Sequence, residues 1–195
     1  MPGVTRRVLL ILAVFAASCI IGPALDQIHV VSGALTYANP WFLDQAWWVG
    51  PQFGLAFAGI AALSIGIQER FGAMDPPVTR PVRVGQQLTW LVAAYLSTGL
   101  FWREPWLLTA GLLVALLVRV AYERPDAATV RMILLLSLAG YTYESALSSI
   151  PGTFGYADGG GLPAPPWLPL LYAHAAPLVR TFMKNATVQL SRRAA

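Results

Sequence analysis

Six apolar stretches, each the length of a bilayer crossing, dominate this sequence: residues 8–25, 47–67, 84–102, 106–122, 130–150 and 167–183. A membrane-spanning helix needs roughly 17–25 such residues. Only 11% of the 195 residues are charged, whereas a soluble domain carries about 25%, so the chain cannot dress a water-facing surface. Disordered chains, coiled coils, disulfide scaffolds and nucleic-acid binders are excluded on the same ground. The expected fold is an all-α membrane protein: one transmembrane domain, residues 1–195, built as a six-transmembrane-helix bundle. The lone Cys19 rules out internal disulfides and cysteine-based metal centres.

The basic residues supply an independent test of the count. Arg6 and Arg7 precede the first stretch, and Arg70, Arg80 and Arg83 lie between the second and third. Arg119, Arg124 and Arg131 flank the fourth-to-fifth connection, while Arg180, Lys184, Arg192 and Arg193 end the chain. Six crossings put twelve of the thirteen basic residues on one side, with only Arg103 opposite. By the positive-inside rule that side is the cytoplasm, and both termini lie there. Trp41, Trp47, Trp48, Trp102, Trp106 and Trp167 gather at the opposite ends, as an interfacial aromatic belt would. Thr5-Arg6-Arg7 followed by an apolar run, with Ala16-Ala17-Ser18-Cys19 behind it, has the look of an export signal. The run continues past Cys19 to Leu25, so an uncleaved first helix is expected. Twelve arginines against one lysine suggest GC-rich coding and a bacterial inner membrane.

Arg103-Glu104-Pro105 is so short that the third and fourth helices must form an antiparallel hairpin. The connections 26–46 and 151–166 contain no Lys or Arg; the second, rich in Gly and Pro, reads as a plain linker. In the second helix Gly50, Gly54, Ala58, Ala62 and Gly66 recur every four residues, a stripe suited to close helix packing and, by its length, to a homo-oligomer contact. Pro23, Pro51, Pro169 and Pro177 lie in or near helices, where each is expected to remove a backbone hydrogen bond and bend its segment.

Glu144 is the most informative single residue. It lies well inside the fifth stretch, where a carboxyl group is expensive and must face the interior. Tyr141 and Ser148, at i−3 and i+4, share its face and would complete a polar patch suited to a hydroxyl or ester group. The alternative is a purely structural hydrogen bond to Gln86, Gln87 or Tyr95 on the third helix. Asp26 and His29 could be two metal ligands, but no third is near in sequence, so a salt bridge or cap is expected, with no metal and no cofactor. No nucleophile elbow, HExxH, P-loop or paired-aspartate motif is present, and no catalytic residue is expected.

Three short motifs carry a family resemblance. Ala46-Trp47-Trp48-Val49 with Pro51 and Gly54 opens the second helix. Tyr122-Glu123-Arg124 follows the fourth, and Trp167-Leu168-Pro169 opens the last. In order and spacing the chain resembles the INSIG family of membrane sterol sensors. The resemblance implies a six-helix bundle that holds a lipid in a lateral cavity, and a non-enzymatic function. Family members bind oxysterols and, when loaded, retain a sterol-sensing protein partner. Glu144 falls near a family glutamine associated with sterol binding, and Asp158 near an aspartate tied to partner binding. In a bacterium, a diacylglycerol or other neutral lipid would suit the same cavity, contacting Glu144, Tyr141, Ser148, Gln87 and Tyr95. The competing reading is a proton-coupled small-molecule transporter with Glu144 as proton carrier. A lipid-modifying enzyme using His29, His174 and Glu144 ranks last.

Overall fold

Glycine ends the first helix where charge does not. The computed structural model describes residues 2–71 and 81–192, and its first helix, α1 (Pro2–Ser32), runs seven residues beyond the expected end at Leu25. Asp26 marks that expected boundary, yet its carboxylate is satisfied within the fold and the helix continues. The stop comes at Gly33, whose φ of +77° suits a residue without a side chain. Gly33 N donates to Val30 O (3.1 Å) and Ala34 N to His29 O (2.9 Å), the paired bonds of a Schellman ending. At 1.5 Å per residue, α1 is about 46 Å long, more than a hydrocarbon core of about 30 Å.

The described residues form five further helices and two short strands: β1 (Leu35–Tyr37), α2 (Val49–Phe71), α3 (Pro81–Phe101), α4 (Pro105–Glu123), α5 (Ala127–Ser148), β2 (Phe154–Tyr156) and α6 (Leu168–Arg192). Each of the six expected stretches is helical, and α3 and α4 form the expected hairpin. Arg80 and Arg193, two of the topology signals, lie outside the described residues. By length and composition alone, α1 and α4 are the described helices long and apolar enough to cross a membrane. The others dilute their apolar runs with the polar side chains described below.

α6 is the axis of the bundle and touches all five other helices. α1 lies along α2, and α5 along α6. The small-residue stripe of α2 does its packing within the chain. A Cβ on Gly54 would sit 2.5 Å from Cys19 Sγ and 2.8 Å from the Phe15 ring, so only glycine lets α1 approach. At Gly50 a Cβ would lie 3.0 Å from the Cys19 carbonyl oxygen. That carbonyl is the one whose intrahelical donor Pro23 removes, so the freed carbonyl and the glycine face each other. A four-residue repeat advances about 40° per step around a helix. Accordingly the stripe leaves the interface: Ala58 is half-buried, Ala62 is exposed, and Ala61 takes the buried position. Only two of the four prolines sit inside helices, Pro23 and Pro177. Pro51 and Pro169 fall in the first turns of α2 and α6, where no amide partner is lost.

The connections 26–46 and 151–166 are not plain linkers. They pair as an antiparallel ribbon, Leu35 opposite Tyr156 and Tyr37 opposite Phe154, extended by Ala38 N to Thr153 O and Ala157 N to Ala34 O. Leu35 and Phe154 face inward and are buried. The ribbon caps one end of the bundle, where Trp102 Nε1 ties the α3–α4 turn to the last residue of α1 by donating to Ser32 O (3.0 Å).

At the opposite end, Asp126 caps α5, accepting from Thr129 N (2.7 Å) and Thr129 Oγ1 (2.6 Å) and pairing with Arg180 (2.9 Å). Slight burial opposes ionisation, but the Thr129 bonds and the charges of Arg180 and Lys184 hold this carboxyl below its ordinary value of 3.8. A carboxyl depressed on folding stabilises above its unfolded value and loses that contribution as pH falls through its folded one. Asp126→Ala is therefore expected to cost about 1 kcal/mol at neutral pH. In thermal unfolding, the gap between wild type and variant should begin to narrow below about pH 4 and close as the pH falls through the folded value; a gap independent of pH would show that the carboxylate is not what stabilises the cap.

Candidate functional site

Beneath the ribbon, six elements bring polar and aromatic side chains together in an otherwise apolar bundle. Glu144, in the last two turns of α5, accepts two short hydrogen bonds. Tyr156 Oη of β2 donates to Oε2 (2.6 Å) and Tyr172 Oη of α6 to Oε1 (2.6 Å). Two phenols on one carboxyl fix its plane and leave further lone pairs available. Tyr172 reaches this position because α5 has a glycine one turn earlier. A Cβ on Gly140 would lie 2.6 Å from the Tyr172 ring, which crosses α5 there. Gly140→Ala is expected to push that ring aside and break its bond to Glu144, at a cost of about 1–3 kcal/mol. Thermal unfolding checks the cost, and an unchanged Tm would mean that the ring is not held against α5.

The second half of the cluster hangs on α1. Tyr37 Oη of β1 donates to Asp26 Oδ2 (2.5 Å), and Asp26 Oδ1 faces His29 Nδ1 at 3.6 Å. His29 Nε2 meets Thr98 Oγ1 of α3 at 2.7 Å. Because the Thr98 hydroxyl gives its one proton to Tyr95 O (2.8 Å), the imidazole is the donor in that bond. Burial first, and then the Asp26 carboxylate, push the Tyr37 phenol well above its ordinary range; burial and Glu144 do the same to Tyr156. Both phenols stay protonated and act as donors at every physiological pH. Asp26 and His29 thus face each other and turn their other polar atoms to Tyr37 and Thr98.

Trp167 joins the halves. Its ring lies 5.5 Å from His29 and 6.1 Å from Tyr156, centre to centre, and Tyr95 also stacks on His29, at 5.4 Å. Trp167 is completely buried, unlike the belt residue its position suggests, whereas Trp41, Trp47 and Trp106 are exposed at 78%, 69% and 61%. Its Nε1 has no hydrogen-bond partner among the described residues. Ala94, Leu108, Leu112, Leu168 and Leu171 pack around it.

The expected site residues distribute as follows. Tyr95 belongs to the cluster. Tyr141 packs against the Trp167 core, but the acceptor of the phenols is Glu144 alone. Ser148 spends its hydroxyl on Pro163 O (2.9 Å) and Ser145 O (3.2 Å), tying α5 to the loop that follows. Gln87 is buried on α3 with its Oε1 unpartnered among the described residues. Neither it nor Gln86 nor Tyr95 is the hydrogen-bond partner expected for Glu144; Tyr156 and Tyr172 hold that place. Asp158 accepts from Gly160 N (2.8 Å) in a turn of the loop. Sequence reasoning missed Tyr37, Thr98, Tyr156 and Tyr172. Of these, Tyr172 had a signal: it is a tyrosine four residues into an apolar helix.

A six-helix bundle capped by a two-stranded ribbon is the class of fold that the described residues define. Within that class, the fold is that of a mycobacterial Insig homologue, MvINS from Mycobacterium vanbaalenii. The chain superposes on its crystal structure with a TM-score of 0.67 at 22% identity, over 95% of each chain. It superposes equally well on a cross-linked trimer of an arginine-to-cysteine variant of MvINS, again 0.67, 22% and 95%. No protein-family model and no curated protein matches the sequence.

Proposed function

We propose that this chain is an Insig-type lipid-binding protein of a bacterial inner membrane. Its six helices all span, both termini are cytoplasmic, and a neutral lipid is held with its polar head at the Glu144 cluster. The carrying observation is the Glu144 carboxyl, fixed by two phenols within an apolar bundle. A lone hydroxyl on an apolar body, whether sterol-like or a diacylglycerol, can donate to its remaining lone pairs while the body lies against leucines and alanines. The buried, unpartnered Trp167 Nε1 favours a ligand that also offers an ester carbonyl, as diacylglycerol does. A burial-dominated site of this kind needs no cofactor and no catalytic group. The trimeric MvINS variant supports a homo-oligomer.

Native mass spectrometry of protein purified in mild detergent, with lipid extraction of the same sample, tests this. One neutral lipid per chain is expected, and the same spectrum counts subunits. Protein without adduct, in an extract of bulk phospholipid alone, would overturn the lipid reading.

One observation favours the proton-coupled transporter as a second reading. With α1 continuing to Ser32, Asp26 is a second buried acid beside His29. Liposomes under a proton gradient discriminate: flux lost with Glu144→Gln would support transport, and equal flux in empty and loaded vesicles would remove it.

A further inference from the structure

A second polar cluster lies at the far end of the bundle from the ribbon. Arg119, in the last turn and a half of α4, is 1% exposed. Its Nε donates to Glu123 Oε1 (2.8 Å) and its Nη1 to His174 O (2.7 Å). His174 O lies one residue beyond the carbonyl that Pro177 deprives of its donor, so the guanidinium binds α6 beside its proline. The guanidinium also stands over the Trp90 ring at 5.8 Å, and His174 stacks on that ring at 5.9 Å. Nη2 has no partner among the described residues. A buried donor left unpaired costs about 1–3 kcal/mol.

Arg119 also walls a small, partly open pocket with Glu123, Pro125, Ile133 and Pro177. Glu123 is the one acidic wall and turns its carboxylate to Nε; the side chains of the other walls are apolar and leave Nη2 without an acceptor, which a group entering from outside would supply. The pocket opens at the α4–α5 turn, where Arg124 and Arg131 are exposed and where Arg180 and Lys184 act on Asp126. Glu123 opposes an anion there, but basic groups outnumber acidic ones. A guanidinium matches phosphate oxygens in geometry and charge better than any other side chain.

We propose that this pocket binds a phosphate group, admitting one of its oxygens to Arg119. At the end of the bundle where headgroups lie, an acidic phospholipid supplies that group, as basic clefts between membrane helices do. The site is separate from the Glu144 cluster and stands whether or not that cluster binds a neutral lipid.

The test uses the full chain in nanodiscs of phosphatidylglycerol or of phosphatidylcholine, with retained lipids read by native mass spectrometry. Wild type is expected to keep phosphatidylglycerol in preference. Arg119→Gln is expected to lower that retention about tenfold, the equivalent of one charge-assisted hydrogen bond. Glu123→Gln removes the opposing charge and is expected to raise it severalfold, an increase that a purely structural Arg119–Glu123 pair would not produce. If Arg119→Gln fails to fold, unchanged or lower retention in Glu123→Gln overturns the proposal by itself. Inorganic phosphate raising the Tm of delipidated protein, and displacing phosphatidylglycerol, would support the phosphate site and assign it to a soluble ion. Equal retention of both lipids in all three proteins, with no response to phosphate, would overturn it.

Discussion

Glu144→Leu is expected to release the bound neutral lipid and to destabilise the protein by about 2–4 kcal/mol. The variant leaves the Tyr156 and Tyr172 hydroxyls buried without their acceptor. Each unsatisfied group costs about 1–3 kcal/mol, and pairings inside membrane proteins fall toward the low end of such ranges. Leucine fills much of the space, so the loss is polar rather than steric. Glu144→Gln keeps an acceptor for one phenol and should recover at least half of the stability. Unfolding in mixed detergent measures the first effect, and lipid extraction the second. Wild-type lipid occupancy in Glu144→Leu would remove the role assigned to this carboxyl, even if stability fell as expected.

Trp167→Ala should cost about 3–5 kcal/mol, the range for deleting a large aromatic from a packed core. Trp167 is the largest fully buried side chain, and it is the wedge between the Asp26–His29 half of the cluster and the Glu144 half. Its removal would loosen His29 and Tyr156 together. Trp167→Phe keeps an aromatic ring in the core but deletes the unpartnered N–H together with part of the indole. A smaller loss of stability than for Trp167→Ala is therefore expected, with faster exchange of a bound diacylglycerol and less change for a sterol. Stability measurements and lipid off-rates in nanodiscs check both. An alanine variant as stable as wild type would mean that the ribbon end of the bundle is held by something other than this core.

The helices were legible because apolar runs of bilayer length leave few alternatives, and the α3–α4 hairpin follows from a three-residue turn. The ribbon was not legible. Strands of three residues have no periodicity to read, and Thr36 and Gly155 meet across 119 positions of sequence. The end of α1 was misplaced for a related reason: the charge of Asp26 signals a boundary only if no distant phenol is there to accept from, and Tyr37 is such a phenol. Glu144 stood out because a carboxyl inside an apolar helix demands partners. Neither partner was foreseeable: Tyr156 arrives on the ribbon, and Tyr172 depends on the gap at Gly140. Trp167 reads as a belt residue by its place at a helix start, and only the packing of α6 at the centre buries it. Arg119 counted as a topology signal, although it is the buried member of its group.

The most direct test of a lipid-holding cluster is where a lipid attaches. A diacylglycerol carrying a photoactivatable diazirine beside its glycerol can be irradiated with the protein in nanodiscs and the adducts mapped by peptide mass spectrometry. Attachment at Tyr95, Glu144, Tyr156 or Tyr172, competed by unlabelled diacylglycerol and lost in Glu144→Leu, is the expected result. Labelling confined to outward-facing residues such as Trp106, Leu107 and Leu117, and insensitive to competition, would contradict it.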